Sequence, residues 1–160
     1  MSGGPATVAI VGSGVLARAH ARVVVAHPDL RLVAVVDQDE ASGVALIDRI
    51  VRRFEGERAP LFADLESAIA AVDIDVIAVA EVAPVTDAAD LAVTMGKVVV
   101  GGNPGSVARE SGRWFAFDDA LAAARTGTGD AAFADHLRQY ESLLGSIGRG
   151  PLALTTGANA

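Results

Sequence analysis

Two glycines, a serine and an aspartate carry the clearest chemistry in this chain. Gly12-Ser13-Gly14-Val15-Leu16-Ala17 reads G-x-G-x-x-A between an apolar run ending at Val11 and a helix-like run starting at Val15. There Gly12 permits a tight turn, Gly14 lets backbone N–H groups approach a diphosphate, and Ala17 lets helix and strand pack closely. The helix start, through Val15 and Leu16, adds unpaired N–H donors and the positive end of the helix dipole. Asp37 stands 25 residues beyond Gly12, at the end of the second apolar run. A carboxylate there accepts both hydroxyls of a ribose and repels a 2′-phosphate, so NAD is favoured over NADP. Enzymes that use S-adenosylmethionine share a glycine-rich first turn and an acid after strand two, so these features alone leave that ligand open.

The elements that must position these residues alternate. Ala6–Val11, Leu32–Val36, Asp75–Ala80 and Lys97–Val100 are short apolar runs. Val15–Ala26, Asp39–Phe54, Asp64–Val72 and Asp87–Met95 have helical character, and Val44, Ile47, Val51 and Phe54 mark one face of the second. Asp64 is placed to cap the third helix, with Glu66 in its first turn. Leu61-Phe62 is a candidate short edge strand. Strands apolar on both faces, alternating with helices, predict an α/β fold with a doubly wound parallel sheet of about five strands, order 3-2-1-4-5. The ligand site then falls at the carboxyl ends of strands one and four, beside Ala80. After Pro104 the alternation stops. A further helix is expected over Ala131–Ile147, with Phe133, Leu137, Tyr140, Leu144 and Ile147 on one stripe and Asp135, Arg138 and Glu141 on its polar face. The expected division is a Rossmann-like domain over 1–104 and a linker with a C-terminal helix over 105–160.

Composition narrows the function classes. The chain has 160 residues, of which 51% are hydrophobic and 21% charged, which favours a single folded domain over disorder. A net charge of −7 argues against nucleic acid or an anionic membrane as the main partner. With no cysteine, disulfides, thiolate metal sites and cysteine nucleophiles are excluded. No apolar stretch is long enough to span a membrane, and Met1-Ser2-Gly3-Gly4-Pro5 lacks the pattern of a secretory signal. The cytoplasm is the expected compartment. No metal site is expected, because none of the three histidines has carboxylate neighbours at ligand spacing.

The ordered motifs resemble the N-terminal domain of the Gfo/Idh/MocA oxidoreductases. The resemblance rests on Gly12 to His20 (G-S-G-V-L-A-R-A-H), His27 to Asp37, Asp64-Leu65, Val72 to Ala78 and Met95 to Val100, in that order. It implies NAD(P) binding and hydride transfer to or from sugars or polyols. Gly112 to Asp119, Phe133 to Tyr140 and Gly148 to Pro151 resemble the family's far C-terminal stretch. The chain therefore looks like a member without its middle substrate domain and without the sixth strand.

The departures bear on chemistry. The family's Glu-Lys-Pro signature at the end of strand five is Gly102-Asn103-Pro104 here. The Asn103 amide cannot transfer a proton near neutral pH. Lys97, the only lysine, starts the same strand, about 20 Å from that slot. Glu81, after strand four, would be unfavourable beside a diphosphate unless turned outward. His20 holds a common family position, where a plain helix-surface residue is equally open; His27 is expected in solvent and His136 beside the apolar stripe.

The expected cofactor-binding residues are thus Gly12, Ser13, Gly14, Val15, Leu16, Asp37, Ala80 and Asn103, with no catalytic residue. The ligand is a nicotinamide dinucleotide. Stand-alone turnover is not expected, and the alternative is a non-catalytic nucleotide-binding or structural remnant. Strand five, Val98-Val99-Val100, is expected at an exposed edge that would recruit a second copy, giving a homo-oligomer.

Overall fold

The computed structural model describes residues 4–80, 86–101, 106–117 and 130–147. Six strands form one parallel sheet: β1 (Ala6–Val11), β2 (Leu30–Val36), β3 (Leu61–Phe62), β4 (Val76–Val79), β5 (Val98–Val100) and β6 (Trp114–Phe115). Their order is β3-β2-β1-β4-β5-β6. The helices are α1 (Val15–Ala26), α2 (Glu40–Arg53), α3 (Leu65–Ala71), α4 (Thr86–Thr94), α5 (Ser106–Glu110) and α6 (Asp130–Ser146).

Side-chain alternation along the strands feeds two cores. Val8 and Ile10 of β1 point into a cluster with Leu16, Ala17 and Ala21 of α1, Leu46, Ile47 and Ile50 of α2, and Tyr140 and Leu144 of α6. Ala9 and Val11 point the other way, toward Leu65 and Ala68 of α3, Ala89 and Ala92 of α4 and Ala108 of α5. A sheet covered on both faces accounts for β-branched residues at successive positions of every central strand. The start of β4 is pinned to β1 by a reciprocal pair: the Thr7 N–H donates to the Asp75 carboxylate at 3.0 Å, and the Asp75 N–H donates to Thr7 Oγ1 at 3.0 Å.

Three expectations need correction. The sheet has a sixth strand, since Trp114 and Phe115 pair with Val99 and Val100. Two residues carry no periodicity, and the pairing exists only because α5 returns the chain to this edge. Trp114 Nε1 also donates to the Gly101 carbonyl at 2.8 Å. Strand five is therefore interior, and the exposed edge expected there does not exist. On α2 the period was right and its phase was not: Leu46, Ile47 and Ile50 are buried while Val44 is 41% exposed. The apolar stripe is centred one position away because both Leu46 and Ile50 face α1 and the sheet.

Asp64 caps α3 as expected, accepting from the Ser67 N–H at 2.7 Å. That bond holds its carboxyl below the usual carboxylate range. The C-terminal helix lies on α1. Arg22 sits over the Phe133 ring at 4.4 Å, a cation–π contact, and His27 Nε2 lies 3.8 Å from a Glu141 carboxylate oxygen.

Candidate functional site

The turn between β1 and α1 has the conformation that its sequence requires. Gly12 takes φ +109°, a region open essentially to glycine, and its N–H closes onto the Val36 carbonyl at 2.8 Å. This bond ties the turn to the end of β2, where Asp37 follows. Gly14 is the N-cap of α1 and no side chain caps the helix. The first-turn N–H groups therefore lack intrahelical acceptors, as at any helix start, and no serine or aspartate satisfies them. A Cβ built on Gly14 meets no atom within 4 Å, so the space above the turn is open. Ala17 is fully buried against the sheet, which sets the close approach of α1.

Asp37 is braced from two sides. The Ser13 hydroxyl donates to Oδ2, and the Asp39 N–H donates to Oδ1 at 2.8 Å. A carboxylate offers about four lone-pair sites, so acceptor capacity remains for a diol. Ser13 thus couples the glycine turn to the acid 24 residues away. The sequence carried no sign of that bond, because only the curvature of the turn brings the two together.

The remaining candidates are placed unequally. Val15 is 43% exposed beside the turn, whereas the Leu16 side chain belongs to the core and leaves only its backbone to a ligand. Ala80 is buried at the end of β4, with its N–H bound to the Val11 carbonyl at 2.9 Å. It therefore sits level with the end of β1, on the strand neighbour that flanks the turn. Asn103 and Glu81 lie outside the described residues.

Of the histidines, His27 departs from its expected place, and His20 does not take the helix-surface alternative. His20 is fully buried rather than on the helix surface, stacked on Phe117 at 3.7 Å, with Nδ1 2.7 Å from the Tyr140 hydroxyl. His136, also buried, stacks on the opposite face of the Phe117 ring at 4.0 Å. Burial, assisted by the neighbouring His136, lowers the His20 pKa to about 3, and burial raises that of Tyr140. The cluster joins α1, the segment after β6, and α6. His27 is not in open solvent either: its Nδ1 accepts from the Asp29 N–H at 3.0 Å, and its side chain is largely covered. Among the described residues no three acidic or histidine side chains gather as metal ligands.

A turn of this geometry next to a braced acid suits a dinucleotide, and the family follows from likeness. Residues 6–99 match the Gfo/Idh/MocA oxidoreductase family, NAD-binding Rossmann fold. The chain belongs to that family. The match covers more than half of the chain and includes the glycine turn, Asp37 and Ala80.

Solved structures of Gfo/Idh/MocA dehydrogenases share this fold. GenD2 from gentamicin A biosynthesis, solved with NAD, is 26% identical, with a TM-score of 0.55 over 71% of this chain and 34% of its own. A myo-inositol dehydrogenase from Corynebacterium glutamicum is 20% identical, with a TM-score of 0.57 over 80% of this chain and 42% of its own. The WlbA dehydrogenase from Chromobacterium violaceum, solved with NADH and UDP-GlcNAcA, is 17% identical, with a TM-score of 0.57 over 91% of this chain and 41% of its own. The chain spans less than half of the length of each. No curated protein matches it. Within the family this is an NAD-binding Rossmann domain, and no helix among its described residues is long and apolar enough to cross a membrane.

Proposed function

We propose that this chain binds NAD(H), in preference to NADP(H), across the turn at Gly12, Ser13, Gly14, Val15 and Leu16, and serves hydride transfer to or from a sugar or polyol. The observation that carries this reading is the open space over Gly14 at an uncapped helix start, with Asp37 held beside it by Ser13. The α1 N–H groups would hold the diphosphate, and Asp37 would accept from the adenosine ribose. When bound, the nicotinamide supplies or accepts the hydride. The likeness to GenD2, a protein solved with NAD, supports the same cofactor.

Ala80 and Asn103 are proposed to complete the cofactor's surroundings. With Asn103 in the slot of the family's lysine, no group there can move a proton between substrate and solvent near neutral pH. The chain is therefore proposed not to turn over by itself. Calorimetric titration with NADH and NADPH tests the reading. NADH is expected to bind at least as well as NADPH, and Gly14→Val to weaken it by about tenfold or more while leaving the fold intact, because the added side chain enters only ligand space. A clear preference for NADPH would sink the Asp37 assignment. Absence of binding to either would leave a structural remnant, and dehydrogenase turnover by the wild-type chain would overturn the role given to Asn103.

A cytoplasmic location and a homo-oligomer complete the proposal. A cysteine-free dinucleotide-binding chain suits a reducing compartment. Among the described residues the sheet ends on two short strands, β3 at one edge and β6 at the other, and the side of Trp114 and Phe115 away from β5 is the edge nearest the one expected to recruit a second copy. A dimer or larger mass is expected by light scattering at micromolar concentration; a monomeric mass would refute the association.

A further inference from the structure

We propose that the groove between α1 and α2 binds a short polyphosphate chain, at a site separate from Asp37. The groove has a volume of about 620 Å³ and meets the glycine turn only at Ser13 and Gly14. Arg18 of α1 and Arg49, Arg52 and Arg53 of α2 line it. This is a concentration of cations on a chain whose net charge is −7.

The spacing at 49, 52 and 53 is i, i+3, i+4, which puts three guanidinium groups on one helix face. Like charges so placed destabilise a helix. The dipole at the C-terminal end of α2 favours Arg52 and Arg53, which lie in its last turn, but offers nothing to Arg18 on another helix. Three arginines elsewhere have carboxylate partners: Arg31 lies 3.6 Å from Glu57, Arg58 2.8 Å from Asp48 and Arg138 2.6 Å from Asp135. Among the described residues none of the four groove arginines has such a partner. The one carboxylate in the groove wall, Asp48, is the group that Arg58 engages. The fold thus holds together a repulsive set that its own acids do not relieve.

An anion of several charges relieves it. Guanidinium forks match phosphate oxygens in pairs, and arginines about one helical turn apart can each engage a different phosphate of a chain. A single carboxylate would answer one or two of the four. A long nucleic acid would run out of the groove onto an acidic surface. The site goes beyond the dinucleotide reading: it touches that reading's turn at Ser13 and Gly14, while its four arginines take no part in that reading and Asp37 lies outside the groove lining.

Calorimetry with inorganic tripolyphosphate and with ATP at low ionic strength tests the proposal. One-to-one binding is expected, weakening strongly as salt is raised, because these arginines are largely exposed and their field is screened. The double variant Arg49→Gln, Arg53→Gln should bind about tenfold more weakly while its thermal midpoint stays level or rises, as repulsion is removed. Equal affinity for the two probes assigns the phosphate chain alone, and tighter binding of ATP adds the nucleoside; either supports the site. NADH binding by the double variant should be unchanged, since neither substituted arginine lies at the glycine turn. Lack of binding by both probes, undiminished binding of them by the double variant, loss of its NADH binding, or tighter binding of an oligoglutamate peptide would overturn it. A chain that fails to bind NADH but still takes tripolyphosphate would refute the dinucleotide reading alone.

Discussion

Replacing Phe117 by alanine is expected to lower the unfolding free energy by about 3–5 kcal/mol, the usual range for a buried phenylalanine. Phe117 is 3% exposed and lies between two imidazoles, with ring centroids 3.7 Å from His20 and 4.0 Å from His136, at interplanar angles of 20° and 16°. Tyr140 meets it edge-on at 6.0 Å. The ring therefore packs where α1, the segment after β6 and α6 meet. Its removal leaves a void lined by polar rings that cannot close without moving a helix. Among the described residues His20 Nε2 has no hydrogen-bond partner, so the site begins with a polar atom whose burial good packing must offset. Urea denaturation followed by circular dichroism checks the value. A loss below about 1 kcal/mol would mean that the stack is not the fastening of α6, since that is the range of ordinary surface changes. Hydrogen exchange should show the amides of α6 losing protection before those of β1 and β4.

Acidification is expected to destabilise the chain through His20. Its folded-state pKa, about 3, is below the ordinary histidine value of 6.5, so between those values the unfolded chain binds the proton that the folded chain refuses. Stability is complete above pH 6.5 and is lost as the pH falls toward 3, with a slope of up to about 1.4 kcal/mol per pH unit from this residue. Between pH 7 and 5 the loss is about 2 kcal/mol. The groups that face His20 reinforce the sign: His136, across Phe117, opposes a second positive charge, and the buried Tyr140 phenol cannot ionise to attract one. Unfolding curves of wild type and His20→Gln at several pH values check this. The variant should be less stable at neutral pH yet show a flatter slope below pH 6.5. Equal slopes would remove His20 from the effect.

Local chemistry made part of the molecule legible in advance. The glycine turn and the cap at Asp64 were readable because each depends on residues adjacent in sequence and on conformations that few residue types adopt. β1, β2 and β4 were readable because their runs are almost wholly apolar, with Thr7 and Arg31 the polar exceptions. The apolar stripe of α6 was readable as well, since Phe133, Leu137, Tyr140 and Leu144 repeat at helical spacing. The phase of the α2 stripe was not. In a helix rich in Val, Leu, Ile and Ala, several faces are apolar enough, and contact with α1 chooses one.

The family and the outline of the sheet thus came from sequence alone, because backbone preference and burial pattern are written residue by residue. Tertiary structure decided what joins distant residues. It added β6, a two-residue strand that pairs with β5, and so moved that edge of the sheet from β5 to Trp114 and Phe115. It took His20 from a helix surface into a stack with Phe117 and His136, across more than 100 residues of chain. It set the Ser13 hydroxyl on Asp37, and it brought Arg18 to the same groove as Arg49, Arg52 and Arg53. The physical reason is common to all four. Contacts between separate elements depend on how helices and strands stack and turn in space, and no periodicity within one segment encodes the partner that another segment will present.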